Sequence, residues 1–115
     1  MKPLVEISIA PTGKFVIARL NGEIDISSAP RIHATLTRAV PNAALGLVVD
    51  LSAVSYLDSA GIRLLFDVKR ELQYHRQCLR LVVPEDAPIQ RLVEIVNLGG
   101  HVALHRTLTA ALAAP

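Results

Sequence analysis

The sequence predicts an α/β fold with a mainly parallel sheet, and three observations carry that prediction. Leu45-Gly46-Leu47-Val48-Val49-Asp50-Leu51 is a nearly continuous apolar run of strand length. After Asn21 the chain alternates strand-like and helix-like stretches, and before it Pro11-Thr12-Gly13 separates two strand-like runs. A run apolar on both faces is what a central strand covered on both sides displays. Alternating β and α units require crossover connections that set neighbouring strands parallel, so the opening hairpin supplies an antiparallel edge. The order expected is ββαβαβαβα, with about five strands and about four helices.

In the first strand, Leu4, Glu6 and Ser8 are set against Val5, Ile7 and Ile9 in an imperfect period of two. The second runs from Phe15 to Leu20, and Asn21-Gly22-Glu23 is read as its end. Ser28 is placed as the cap of the first helix, with Pro30 tolerated in a turn that has no intrahelical N–H partners. Ala29, Ile32, Leu36, Ala39 and Val40 then share one helical face. A loop at Pro41-Asn42 leads to the central strand, which is expected to leave the sheet through a loop before Ser59. From Ser59 to about His75, Ile62, Leu65, Phe66 and Leu72 recur at helical spacing opposite Lys69, Arg70, Glu71 and Arg76, giving the longest helix. Leu79 to Val83 forms the next strand. Asp86 is placed as the cap of a helix with Ile89, Leu92, Val93 and Val96 on one face, stopped by Gly99 and Gly100. Val102 to Leu104 is a short last strand, and Thr107 caps a terminal helix holding Leu108, Ala111 and Leu112.

Composition narrows the function classes. With 115 residues and 51% hydrophobic content, the chain suits one compact domain spanning 1–115. A net charge of +2 without a basic block, and aromatics at 3% with no Trp, argue against direct nucleic-acid binding. Cys78 is the only cysteine, which excludes an intrachain disulfide and a Cys-based zinc cage and suits a packed small hydrophobe. Met1 to Ala10 lacks the apolar stretch of a secretory signal, and no window reaches membrane-spanning length, so a soluble cytoplasmic protein, monomeric by default, is expected. His33, His75, His101 and His105 are scattered, and the four-residue spacing of the last two falls on a strand, where it does not make a metal site. There is no Gly-rich phosphate loop, no G-x-S-x-G elbow and no paired acid–base carboxylates. No catalytic, cofactor or metal site is therefore expected, although nucleotide binding at the strand-exit loops is a variant that such a fold permits.

The informative stretch is Val48 to Gly61, where the buried strand runs toward a helix N-terminus, the place where open α/β sheets put their sites. Here Asp50-Leu51-Ser52, an apolar stretch and then Asp58-Ser59-Ala60-Gly61-Ile62 resemble the D-S-x-G-L motif of STAS-domain anti-sigma factor antagonists. Leu20-Asn21-Gly22-Glu23-Ile24-Asp25 is similar to the L-x-G-E-L-D of the same family, at the same distance upstream. The resemblance spans essentially the whole chain and implies one STAS domain and a bacterial partner-switching role. It implies Ser59 as the acceptor of a phosphate from a partner that is both anti-sigma factor and serine kinase, with a phosphatase to remove it. The unphosphorylated form would bind that partner and free a sigma factor, through a face comprising Glu23, Asp25, Asp58, Ser59, Gly61, Ile62 and Arg63.

Each of these residues also has a plainer reading. Ser59 is a polar residue in a first helical turn, where a phosphate is favoured by unpaired N–H groups and the helix dipole. Asp25 suits a turn, Asp58 a helix cap, and Gly61 either packing or close approach by a partner. Ile62 stands for the usual leucine. Arg63 occupies a position where many members carry glycine; four residues after Ser59, it is a cation within reach of a phosphate, a solvated helix residue or a partner-specific contact. Two other classes remain: a STAS domain docked constitutively in a lipid-transport complex or stress-sensing scaffold, and a hydrolase or transferase, for which Ser59 has no evident histidine partner.

Overall fold

The structure is a computed structural model and describes residues 5–115. Leu4, read above as part of the first strand, lies outside the described residues. The elements are β1 (Val5–Thr12), β2 (Phe15–Ile24), α1 (Ala29–Ala39), β3 (Gly46–Leu57), α2 (Ser59–Tyr74), β4 (Cys78–Val82), α3 (Gln90–Ile95), β5 (Ala103–His105) and α4 (Leu108–Ala113). A 3-10 turn at Leu98–Gly100 lies between α3 and β5. The strands form one sheet in the order β1-β2-β3-β4-β5, with β1 antiparallel to β2 and every other neighbour parallel. This is the mixed sheet and element order that the alternation predicted.

Side chains alternate between the faces of the sheet and so divide its work. Val16, Ala18 and Leu20 of β2, Leu47, Val49 and Leu51 of β3, and Leu79 and Leu81 of β4 point into the main core. There they meet Ile32 and Leu36 of α1, Leu64, Leu65, Val68 and Leu72 of α2, and Val93 of α3. On the other face α4 alone closes a smaller cluster, with Ala111 against Val48 and Val82 and, at its margin, Phe15 and Ile17. Arg80, 9% exposed, fixes that helix: Nη1 donates to the Ala111 carbonyl at 2.7 Å, and the guanidinium lies 4.4 Å from the Phe15 ring centroid. Beyond α4 this face turns polar. Asp50, 4% exposed, accepts from Arg19 Nε at 3.2 Å and from the Ser52 hydroxyl at 2.7 Å.

Several boundaries differ from the expectations, each for a local reason. Asn21-Gly22-Glu23 does not end β2, which continues to Ile24, and β3 continues to Leu57 instead of leaving the sheet after Leu51. The register between the two strands slips at Arg19/Asn21 and again at Gly22/Glu23, so β3 carries an extra residue each time. Leu51, Val54 and Leu57 are therefore buried at a spacing of three where a regular strand would show two. Gly22, at φ 123°, takes the left-handed backbone that this irregularity requires. In α2 the buried stripe is Gly61, Leu64, Leu65, Val68 and Leu72, and Ile62 and Phe66 lie at its margin. The Ser28 hydroxyl caps no helix N–H. Asp86 lies exposed in a turn, and α3 starts after Ile89 with no side-chain cap. Asn97, at φ 53°, turns the chain beyond α3 before Gly99 is reached. Thr107 does cap α4, its hydroxyl accepting the Ala110 N–H at 3.0 Å.

Candidate functional site

β2 and β3 end together. Ile24 is in register with Leu57, and the Asp58 N–H donates to the Ile24 carbonyl at 3.4 Å. From that shared edge β2 enters the 25–28 loop and α1, and β3 passes through the single residue Asp58 into α2. The two helices start side by side, enclosing a groove of about 700 Å³ lined on one wall by Ile26, Ala29, Pro30 and His33 and on the other by Ser59, Ala60, Arg63, Leu64 and Asp67.

The first wall is built by Asp25. Its Oδ1 accepts the Ser27 hydroxyl at 2.6 Å and the N–H groups of Ser27 and Ser28 at 2.9 and 3.1 Å. The Ser28 hydroxyl accepts the Asp25 N–H at 3.0 Å, and the Asp25 carbonyl takes the Ala29 N–H at 2.9 Å. The Asp25 side chain orders the loop ahead of α1, and the first helix N–H is taken by the Asp25 backbone carbonyl in place of the expected Ser28 hydroxyl. The Ser27 hydroxyl, followed by the Ser28 amide, holds the Asp25 carboxyl below its ordinary pKa by stabilising the ionised form, and partial burial opposes them. Ile26, within this hydrogen-bonded loop, stands 78% exposed at the groove's edge.

The second wall begins at Asp58, whose Oδ1 accepts the Gly61 N–H at 3.0 Å and caps α2. Ser59 is the first helical residue, exposed, with a hydroxyl that makes no hydrogen bond among the described residues. Gly61 is buried against β2 and β3; a Cβ there would come 2.3 Å from Leu57 Cδ1 and 3.2 Å from the Ile24 carbonyl oxygen. Ile62 is half-buried against the main core, and Arg63 is exposed on the groove wall one turn after Ser59. Glu23 is exposed near the end of β2, opposite Tyr56, itself 49% exposed. Across the helix pair His33 Nε2 meets Glu71 Oε2 at 3.2 Å.

The structure sets the 25–28 loop beside the start of α2; of the seven residues expected on one face from the resemblance, Ser59 and Arg63 line the groove. It adds Ile26, Pro30, His33, Ala60 and Asp67, which that reading passed over. Ile26 carried a signal, an isoleucine within Asp25-Ile26-Ser27-Ser28 that fits neither strand nor helix periodicity. His33 and Asp67 carried none, since their meeting depends on how α1 packs on α2. Among the described residues no three His, Cys, Asp or Glu side chains gather as a metal site would require. No helix among them is long and apolar enough to cross a membrane.

Comparison with known proteins agrees with this architecture. Residues 6–111 match the STAS domain family. The chain is 29% identical over 94 residues to an anti-sigma-B factor antagonist of Staphylococcus aureus, covering 82% of this chain and 86% of that one. It is 26% identical over 109 residues to the anti-sigma-F factor antagonist RsfB of Mycobacterium tuberculosis, covering 94% and 87%. The crystal structure of an anti-sigma factor antagonist from Mycobacterium paratuberculosis superposes with a TM-score of 0.81 at 26% identity, covering 94% of this chain and 91% of that one.

Proposed function

The chain belongs to the STAS domain family, and from that membership we propose that it is an anti-sigma factor antagonist switched at Ser59. In the unphosphorylated state it binds an anti-sigma factor that is also a serine kinase, and a sigma factor is released. Transfer of the ATP γ-phosphoryl group to Ser59 Oγ ends the interaction, and a phosphatase resets it. The kinase supplies the catalysis; this chain supplies a presented hydroxyl.

The observation that carries the reading is the placement of Ser59. It is exposed at the first position of a 16-residue helix, its hydroxyl uncommitted, on the rim of a groove edged by the exposed Ile26. A kinase reaches such a hydroxyl without unfolding anything. The added phosphate carries roughly −1.5 to −2 charges near neutral pH and sits where the helix dipole and free N–H groups favour it. It therefore alters the docking face while leaving the fold intact. Glu23, Asp25 and Asp58 already make that edge acidic, so a partner that accommodates them is repelled by further negative charge.

Affinity capture from the native cell lysate tests this, with wild type, Ser59→Ala and Ser59→Asp as baits and mass spectrometry of what each retains. Wild type and Ser59→Ala should hold an ATP-binding, kinase-like anti-sigma factor that Ser59→Asp loses. Retention of the same transport or scaffold proteins by all three would replace the switch with constitutive docking.

A further inference from the structure

We propose that Arg63 is an intramolecular counter-charge for phosphoserine at position 59, drawing the phosphate over the mouth of the α1–α2 groove, so that the off state is an occupied groove as well as a repellent surface. This rests on the reading of Ser59 as the phosphate acceptor.

The geometry of α2 supplies the first argument. Arg63 follows Ser59 by one helical turn, and both line the same groove. Side chains on a helix lean toward its N-terminus, so the Arg63 guanidinium reaches back over Ser59 and away from the turn that follows. A residue at i+4 is the neighbour best placed to meet a group at i.

The second argument is that Arg63 is uncommitted where the charges around it are taken. Asp67, one turn further on and on the same wall, accepts from Arg70 Nη2 at 3.3 Å. His33, on the opposite wall, is paired with Glu71 at 3.2 Å. Among the described residues that line the groove, Arg63 is the cation with neither an ion pair nor a hydrogen bond. A planar guanidinium donates to two phosphate oxygens at once, which fixes direction as well as charge.

The consequence separates two ways of switching off. A phosphate left in solvent acts through charge and is screened by salt within about 10 Å at 0.1 M. A phosphate held by Arg63 also covers the groove's apolar lining of Ile26, Ala29, Ala60 and Leu64, so that a side chain entering there must displace an ion pair.

Phosphoserine built into position 59 during translation tests this without a kinase, in otherwise wild-type protein, in Arg63→Ala and in Arg63→Lys. Circular dichroism confirms that each variant folds. A ³¹P titration should place the second ionisation of the phosphate about half a pKa unit lower in wild type than in Arg63→Ala, the size expected of an exposed pair, with Arg63→Lys between them. The methyl resonances of Ile26 and Leu64 should shift on phosphorylation in wild type and much less in Arg63→Ala. Superimposable titration curves for wild type and Arg63→Ala overturn the pairing, and methyl resonances that move alike in both overturn the groove's occupation. Failure of the capture experiment beside a shifted titration overturns the antagonist reading and supports the pairing.

Discussion

At the scale of single residues, Asp25 and Gly61 show how much of the site is held by local chemistry. The Asp25 carboxylate accepts four hydrogen bonds from Ser27 and Ser28, and these favour its ionised form. Because its folded pKa lies below the unfolded one, its contribution to stability is complete above the ordinary value and is lost as pH falls through the folded value. Following the Asp25 carboxyl carbon by NMR should therefore give a midpoint below 3.8, and in Ser27→Ala that midpoint should move up toward it. Gly61 opposes two effects. Alanine would improve helix propensity by up to about 1 kcal/mol, but its Cβ would come 2.3 Å from Cδ1 of Leu57, itself 4% exposed, and 3.2 Å from the Ile24 backbone carbonyl oxygen. Overpacking wins, so Gly61→Ala should lower the unfolding free energy by about 1–3 kcal/mol in urea melts. The sequence suggests the turn at Asp25 and leaves Gly61 open between packing and a partner's approach; the contacts that decide for packing come from Ile24 and Leu57, which no local pattern ties to position 61.

At the scale of elements, the ends of α2 are built differently. Its start follows a common rule, with Asp58 capping Gly61 N–H, and this was legible from residue types. Its end follows a common rule with an uncommon residue. Gln77 N–H bonds the Leu72 carbonyl at 2.8 Å and Arg76 N–H the Gln73 carbonyl at 2.9 Å, a Schellman motif whose left-handed position, φ 59°, holds Arg76 where glycine is usual. A side chain in that conformation costs roughly 1–2 kcal/mol, part of which glycine returns as unfolded-state entropy. Arg76→Gly should thus stabilise the protein by roughly 0.5–1 kcal/mol, seen as a higher Tm in calorimetry. The strands teach the opposite lesson. Residues 52–57 are expected as a loop from sequence and belong to β3; Leu51, Val54 and Leu57 do not alternate, and the two register slips against β2 bring all three into the core. Those slips are a property of a strand pair and leave no period in either strand alone.

For the molecule as a whole, the proposed switch separates stability from binding. No acidic residue occupies the first turn of α2, so Ser59→Asp adds favourable charge to its N-terminus and is opposed by the adjacent Asp58. Thermal melts should show the variant unchanged or more stable by up to about 1 kcal/mol while it loses its partner; a melting transition that falls to the assay temperature would mean that binding fails through unfolding. The sequence by itself determined the class of fold, the element order and the central place of β3, because periodicity and turn chemistry are written in neighbouring residues. It also marked Asp58 and Ser59 as the start of α2, since a capping pattern is local. Only the tertiary structure decided that β2 and β3 end level, that α1 and α2 begin side by side, and that Ile26 and His33 face Ser59 and Arg63 across one groove. These are relations between elements separated by dozens of residues, set by sheet register and helix packing, and no window of local sequence contains the distances that fix them.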